Sequence, residues 1–294
     1  MSIFTGSCVA LVTPFKEDGS INFDKLLELL DYHLAHKTDA VLICGTTGEA
    51  STIDDEDQIE CVRLAVKHIN KRIPVIAGAG SNDTAHAVKL AKECEEAGAD
   101  GLLIVTPYYN KTTQNGLVAH YTAIAEAVNI PIILYNVPGR TGMRISPETC
   151  AVLSRIPNIV AVKDATGDIS AIAKTASLCD PSFDIYSGND DQTLPILSLG
   201  GKGIISVTAN IIPDEMHDIC EAYFSGDHEK ARQIQLDILG IFDAMFCEVN
   251  PMPVKEAMNM LGFKVGSCHL PLVEISGDHK DYVKKELEKF GLLK

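Results

Sequence analysis

Short, near-continuously apolar runs rich in valine and isoleucine recur along the chain, at 9–12, 40–44, 75–77, 101–105, 132–135, 159–162, 183–186 and 203–207. Runs of this kind read as strands covered on both faces. The longer segments between them carry a helical period: Phe23, Leu26, Leu27, Leu30 and Leu34 fall on one stripe. Ser81-Asn82-Asp83-Thr84 supplies a cap-like helix start, and Gly98 suits the end of the same helix. Pro131 and Pro157 stop helical segments ahead of the fifth and sixth runs. Alternation of this kind predicts parallel strands joined by right-handed crossovers, and eight units in about 225 residues fit a closed barrel. An open doubly wound sheet is the alternative, but no G-x-G-x-x-G follows the first run. Beyond Pro213 the strand pattern ceases, and helices are expected over 227–246, 254–261 and 278–290. The fold class is therefore α/β, a (β/α)8 TIM barrel with a C-terminal helical appendage. Residues 1–224 are expected to form the barrel, which would carry any catalytic site, and residues 225–294 a helical region with a role in assembly.

Composition narrows the function. At 294 residues, 46% hydrophobic and 22% charged, the chain is ordinary globular material. A net charge of -15 repels phosphate backbones, which argues against nucleic acid as a partner. The nine cysteines are scattered singly with no C-x-x-C, so buried free thiols are expected rather than disulfides or a zinc site. No run approaches the length of a membrane span, and the N-terminus lacks a signal-peptide pattern, so a soluble cytoplasmic protein is expected.

Barrel enzymes place their sites at the C-terminal ends of the strands, which gives a short list of segments. After the second strand, Gly45-Thr46-Thr47-Gly48-Glu49 offers two hydroxyls on a turn whose glycines allow sharp bending and close approach to a ligand, or simply a tight turn with a capping Thr. After the fourth, Tyr108 and Tyr109 suit proton transfer or packing at a subunit contact. After the fifth, Tyr135 lies near the mouth, and Arg140 sits on a Pro-Gly turn able to aim it at a carboxylate or leave it in solvent. The sixth strand ends in Ala161-Val162-Lys163-Asp164, and alternation puts Ala161 and Lys163 on one side. If that side is the lumen, burial favours the neutral amine, which is the nucleophilic form. If it faces the helices, Lys163 belongs in a salt bridge. Gly188, after the seventh strand, would let a ligand near the backbone, and the eighth ends near Ile205.

The nine histidines fall away from these strand ends, and no His/carboxylate cluster suited to a catalytic metal is evident, so neither metal nor cofactor is expected. His33 and His36 read as a surface pair. Gly200-Gly201 precedes the eighth strand, the wrong end for a phosphate cradle, which points away from a phosphorylated substrate.

Three motifs stand in order and spacing: Gly45-Thr46-Thr47-Gly48-Glu49, Tyr135-Asn136-Val137-Pro138-Gly139-Arg140-Thr141-Gly142, and Val162-Lys163-Asp164-Ala165-Thr166-Gly167-Asp168. Nearly end to end, the chain resembles the Schiff-base lyases that include N-acetylneuraminate lyase, and most closely the 4-hydroxy-tetrahydrodipicolinate synthase (dihydrodipicolinate synthase) family. The resemblance implies that Lys163 condenses with pyruvate and that the enamine attacks aspartate 4-semialdehyde, on the diaminopimelate route to lysine. It implies Tyr135 as proton donor and acceptor, linked through Thr47 to Tyr109 of a neighbouring subunit, with Thr46 in the same relay region. Thr47 and backbone near Ile205 would hold the pyruvate carboxylate, Arg140 the carboxylate of the aldehyde, and Gly188 would lie beside the pocket. It also implies a homotetramer built as a dimer of dimers. Relatives inhibited by lysine bind it at a dimer interface. Asn82 and Tyr108 fit that pattern, whereas Asp55, Gln58 and His86 stand where lysine-sensitive bacterial members often carry His, His and Glu, so insensitivity is expected.

Two rivals stand beside this reading. A sister activity on a sugar-like 2-oxo acid would keep Lys163, Tyr135 and Thr47 and change only the second substrate; Gly139-Arg140 favours an acidic one. A catalytically dead barrel acting as a scaffold is disfavoured, since every relay residue is present.

Overall fold

The computed structural model describes residues 2–293. Eight parallel strands close into a barrel in chain order: β1 (Gly6–Ala10), β2 (Ala40–Ile43), β3 (Val75–Gly78), β4 (Gly101–Val105), β5 (Ile132–Asn136), β6 (Ile159–Asp164), β7 (Asp184–Ser187) and β8 (Gly203–Ser206), with β8 paired back to β1. Around them lie α1 (Phe23–Ala35), α2 (Asp55–Ile69), α3 (Thr84–Glu96), α4 (Gln114–Ala125), the short α5 (Pro138–Thr141), α6 (Pro147–Leu153), α7 (Ile169–Leu178), α8 (Thr193–Ser198) and α9 (Pro213–Phe224). Local caps start several of these helices. Asn22 accepts from the Lys25 N–H at α1, and Asp83 from the Ala85 N–H at α3. Gly98, at φ +94, ends the turn after α3. No described helix is long and apolar enough to cross a membrane.

Side-chain alternation along the strands builds two cores. Cys8, Ala10, Leu42, Ile76, Leu103, Ile133, Ala161 and Ile205 fill the lumen, while Val9, Val41, Ile43, Ile104, Leu134 and Val162 pack outward among the helices. Phe4, stacked on Tyr186 at 4.3 Å between ring centroids, closes the lumen at the N-terminal end of the strands.

Three expectations are corrected. The first strand runs Gly6–Ala10, not 9–12, because barrel closure chooses it: Gly6 pairs with Gly203, where an added Cβ would stand 1.9 Å from the Gly6 carbonyl oxygen. No apolar pattern marks a strand that starts on glycine. The helix expected over 227–246 is two, α10 (His228–Asp237) and α11 (Leu239–Met245), with the break at Ile238. The break turns α11 onto the last helix, and Gly240 then lies so near Glu286 that a Cβ would meet its carboxylate at 2.2 Å. The remaining helices are α12 (Met252–Met260) and α13 (Gly277–Phe290).

His33 is not on the surface. It is fully buried, with Nδ1 2.9 Å from Thr38 Oγ1, while His36 alone reaches a partner at the surface, Asp214. Burial pushes the His33 pKa down to about 3. Between the unperturbed value of 6.5 and that value, the unfolded chain binds a proton that the folded one refuses. Stability therefore falls with falling pH across that window, by on the order of 1 kcal/mol per pH unit from this group. Denaturant unfolding of wild type and His33→Gln at pH 7 and pH 5 tests it. The expected result is a smaller acid loss in the variant; parallel losses would remove His33 as the cause.

Candidate active site

The geometry begins with two neighbouring strands. β5 and β6 pair Tyr135 with Lys163 after a register shift near Ile132 and Ile133, which leaves Val160 as the extra residue. Beyond the shift, alternation holds: Ala161 and Lys163 turn into the lumen, and Val162 and Asp164 turn away. Lys163 is 5% exposed, and its Nζ lies 4.4 Å from the centroid of the Tyr135 ring. A cation over a ring face is attracted to it, so the contact also holds the amine in place. The outward neighbours lock the pair. Asn136 Nδ2 donates to Asp164 Oδ2 at 3.2 Å, and Asp164 Oδ1 accepts from the amide and hydroxyl of Thr166.

Gly188 sets the space beside the lysine. A Cβ there would stand 2.8 Å from Ala165 Cβ and 3.1 Å from Lys163 Cε, so the bare backbone lets the lysine stem lie along the end of β7. Across the lumen, Ile205 pairs with Cys8. The Cys8 thiol is raised well above the usual range by burial, against the opposing pull of the Lys163 charge.

The loop after β2 carries Thr46 and Thr47. Its left-handed residues are Cys44 at φ +52 and Glu49 at φ +57, not the two glycines. Gly45 and Gly48 instead allow close packing: a Cβ on them would meet the Leu42 side chain at 2.8 Å and the Leu11 carbonyl at 3.1 Å. Thr13 Oγ1 donates to the Gly48 carbonyl at 2.7 Å and ties the loop to the chain leaving β1. Thr47 is buried, and its Oγ1 accepts from Asn250 Nδ2 at 3.0 Å. Arg140, on the single turn of α5, donates from Nη2 to the Asn250 carbonyl at 3.0 Å. Thr46, Tyr135 and Arg140 line one cavity of about 420 Å³, which runs outward past Gln58, His86 and Tyr108. Tyr109 is not brought to this group in the single chain. It is 93% exposed, at φ +68, at the tip of the loop after β4.

An amine, a phenol, two threonine hydroxyls and a guanidinium thus gather at the C-terminal mouth of the barrel, where a small carboxylate-bearing carbonyl compound has both a nucleophile and a cation to meet. The profile of the Dihydrodipicolinate synthetase family matches residues 3–290. The chain belongs to this family. The 4-hydroxy-tetrahydrodipicolinate synthase of Caldicellulosiruptor bescii is 56% identical over 292 residues, 99% of either protein. The chloride-inhibited dihydrodipicolinate synthase from Acinetobacter baumannii complexed with pyruvate is 41% identical, with a TM-score of 0.96 over 98% of this chain and 99% of that one. The enzyme from Cyanidioschyzon merolae with lysine bound is 38% identical, with a TM-score of 0.97 over 100% of both.

Three residues of this member of the dihydrodipicolinate synthetase family escaped the sequence reading. Asn250 lies in the loop before α12, far along the chain from every strand end. Asp190 is buried; its Oδ2 accepts from the Thr208 amide at 2.9 Å and hydroxyl at 2.6 Å. Burial raises its carboxyl pKa, opposed by the Thr208 bonds and by the charge of Lys163. Lys255 donates to Glu49 Oε1 at 2.9 Å, the Thr13 carbonyl at 3.1 Å and the Ser267 carbonyl at 2.8 Å. Burial lowers its pKa, against the pull of Glu49. The Asp190 segment was visible as a strand end, but nothing local distinguishes Asn250 or Lys255. Among the described residues one trio, His217, Asp218 and Glu221, brings possible metal ligands within 4.8 Å. It lies on α9, with His217 bonded to Asp39 ahead of β2, at the end of the barrel opposite the cavity.

Proposed function

We propose that the protein condenses pyruvate with L-aspartate 4-semialdehyde to 4-hydroxy-tetrahydrodipicolinate through a Schiff base on Lys163, on the diaminopimelate route to lysine. The observation that carries the reading is the buried amine lying on the Tyr135 ring at the barrel mouth, in a chain that belongs to this family. Lys163 Nζ attacks the ketone carbon of pyruvate, and loss of water leaves the imine. A methyl proton then departs to give the enamine, whose carbon attacks the aldehyde. Ring closure by the amine of the second substrate frees Lys163. Every stage moves a proton, and a chain of hydroxyls suits that task. Tyr135 gives and takes the proton, Thr47 links it onward, and Tyr109 completes the relay from a second copy of the chain. Thr46 flanks the same relay. Thr47 and the backbone at Ile205 hold the pyruvate carboxylate, Arg140 the carboxylate of the aldehyde, and Gly188 keeps the wall clear.

Borohydride reduction in the presence of pyruvate, followed by peptide mass measurement, tests the reading. The expected result is one reduced pyruvate on the peptide that carries Lys163. An unmodified Lys163 supports the scaffold alternative. Turnover with N-acetylmannosamine but not aspartate 4-semialdehyde supports the sugar-acid alternative.

The exposure of Tyr109 supports contact with a second copy of the chain, and the family resemblance extends this to a homotetramer, a dimer of dimers. A monomer mass in sedimentation equilibrium sinks that assignment. Residues 1–224 act as the catalytic barrel and 225–294 as its helical support, in the cytoplasm, where nine unpaired thiols persist.

Lysine is expected not to inhibit. Both protons of the Gln58 side-chain amide go to the Ala50 and Ile53 carbonyls, and Asp55 already receives His86 and Lys89. An incoming carboxylate would meet the Asp55 anion in place of a free donor. Initial rates with millimolar lysine added check this; a saturable fall in rate would refute it.

A further inference from the structure

The loop before α12 reaches into the candidate site with one side chain. Asn250 is 5% exposed and makes two kinds of contact. Its backbone carbonyl accepts from Arg140, and its Nδ2 donates to Thr47 Oγ1. Its Oδ1 is buried without a partner, so among the described residues the bond to Thr47 is the only one its side chain makes.

A threonine hydroxyl has one proton and two lone pairs. When Thr47 accepts from Asn250, one lone pair is occupied by a fixed donor and its own proton remains free to pass to another acceptor. An amide oxygen at the same place would draw that proton in and end the chain there. We infer that Asn250 is a positioning residue which orients the Thr47 hydroxyl as a donor toward the reacting centre, and so sets the direction in which the relay runs. The inference rests on the Schiff-base reading above. It also assigns the helical region a part in the chemistry, since Asn250 lies outside the barrel.

Asn250→Asp is the discriminating change. It keeps the shape but presents only acceptors when ionised, so Thr47 must give its proton to residue 250. The Arg140 contact, which runs through the backbone, stays. Asn250→Asp is expected to lower kcat on the order of 10²-fold, with a smaller change in KM for pyruvate. It should still acquire a reduced pyruvate on Lys163 under borohydride. Because Asn250 acts through Thr47, adding Asn250→Asp to Thr47→Val should cost nothing beyond Thr47→Val alone. Turnover of Asn250→Asp within about threefold of wild type, or additive losses in the double variant, overturns the inference. If the Asp variant is poorly folded, as thermal unfolding would reveal, the same cycle with Asn250→Ala decides on the same criterion. A wild-type protein that gains no mass with pyruvate and borohydride sinks the Schiff-base reading itself, so the two failures are told apart.

Discussion

Lys163→Ala is expected to reduce turnover on the order of 10³- to 10⁶-fold while the protein stays folded. No other amine stands in for it. The other buried lysine, Lys255, spends its three protons on Thr13, Glu49 and Ser267 and has none of its donors free. Surface lysines lie outside the lumen and cannot reach a ketone held beside Tyr135. Stability should change little or rise, because the substitution removes a buried amine that makes no hydrogen bond or ion pair among the described residues. Steady-state rates, peptide mass after borohydride and thermal unfolding check the three parts. A variant that keeps more than about a tenth of wild-type turnover would remove Lys163 from the nucleophile's place.

The second large effect concerns stability. Lys255 and Glu49 form an ion pair with both side chains 2% exposed. Lys255 Nζ also lies 4.3 Å from the Phe15 ring centroid, and Glu49 Oε2 accepts from the His269 amide at 2.8 Å. Three distant parts of the chain therefore meet at one charge pair, directly after the Thr46–Thr47 turn. Removing one partner leaves the other charge buried and unpaired, which costs about 3–5 kcal/mol. Lys255→Ala is expected to lose that much in denaturant unfolding and to lose activity with it, because Glu49 anchors the turn that carries the relay hydroxyls. The double change Lys255→Met with Glu49→Leu should be milder than Lys255→Ala, since no lone charge remains. A loss below about 1 kcal/mol for Lys255→Ala, or a double variant as damaged as the single one, would show that the pair is not what holds this corner.

The fold and much of the site were legible along the chain because both depend on local rules. A strand buried on both faces must be apolar throughout, and eight such runs between amphipathic segments leave few architectures. Alternation along β6 placed Lys163 with Ala161, and the order of the strand ends put Thr46, Tyr135 and Arg140 at one mouth. Those inferences need only the periods of strand and helix and the direction of parallel strands.

What escaped was whatever depends on residues far apart in sequence. The start of β1 was set by glycine meeting glycine at barrel closure, and the bend at Ile238 by the last helix. His33 is a helical position that looks polar, and only the chain packed over it makes it a core residue. Asn250 reaches Thr47 across 203 residues, and Lys255 reaches Glu49 across 206. The sequence by itself determined which elements form and which of their ends carry chemistry, because those follow from spacing within a few residues. Only the tertiary structure decided which side chains hold the site rigid, because a hydrogen bond or ion pair between distant segments leaves no periodic trace in either of them.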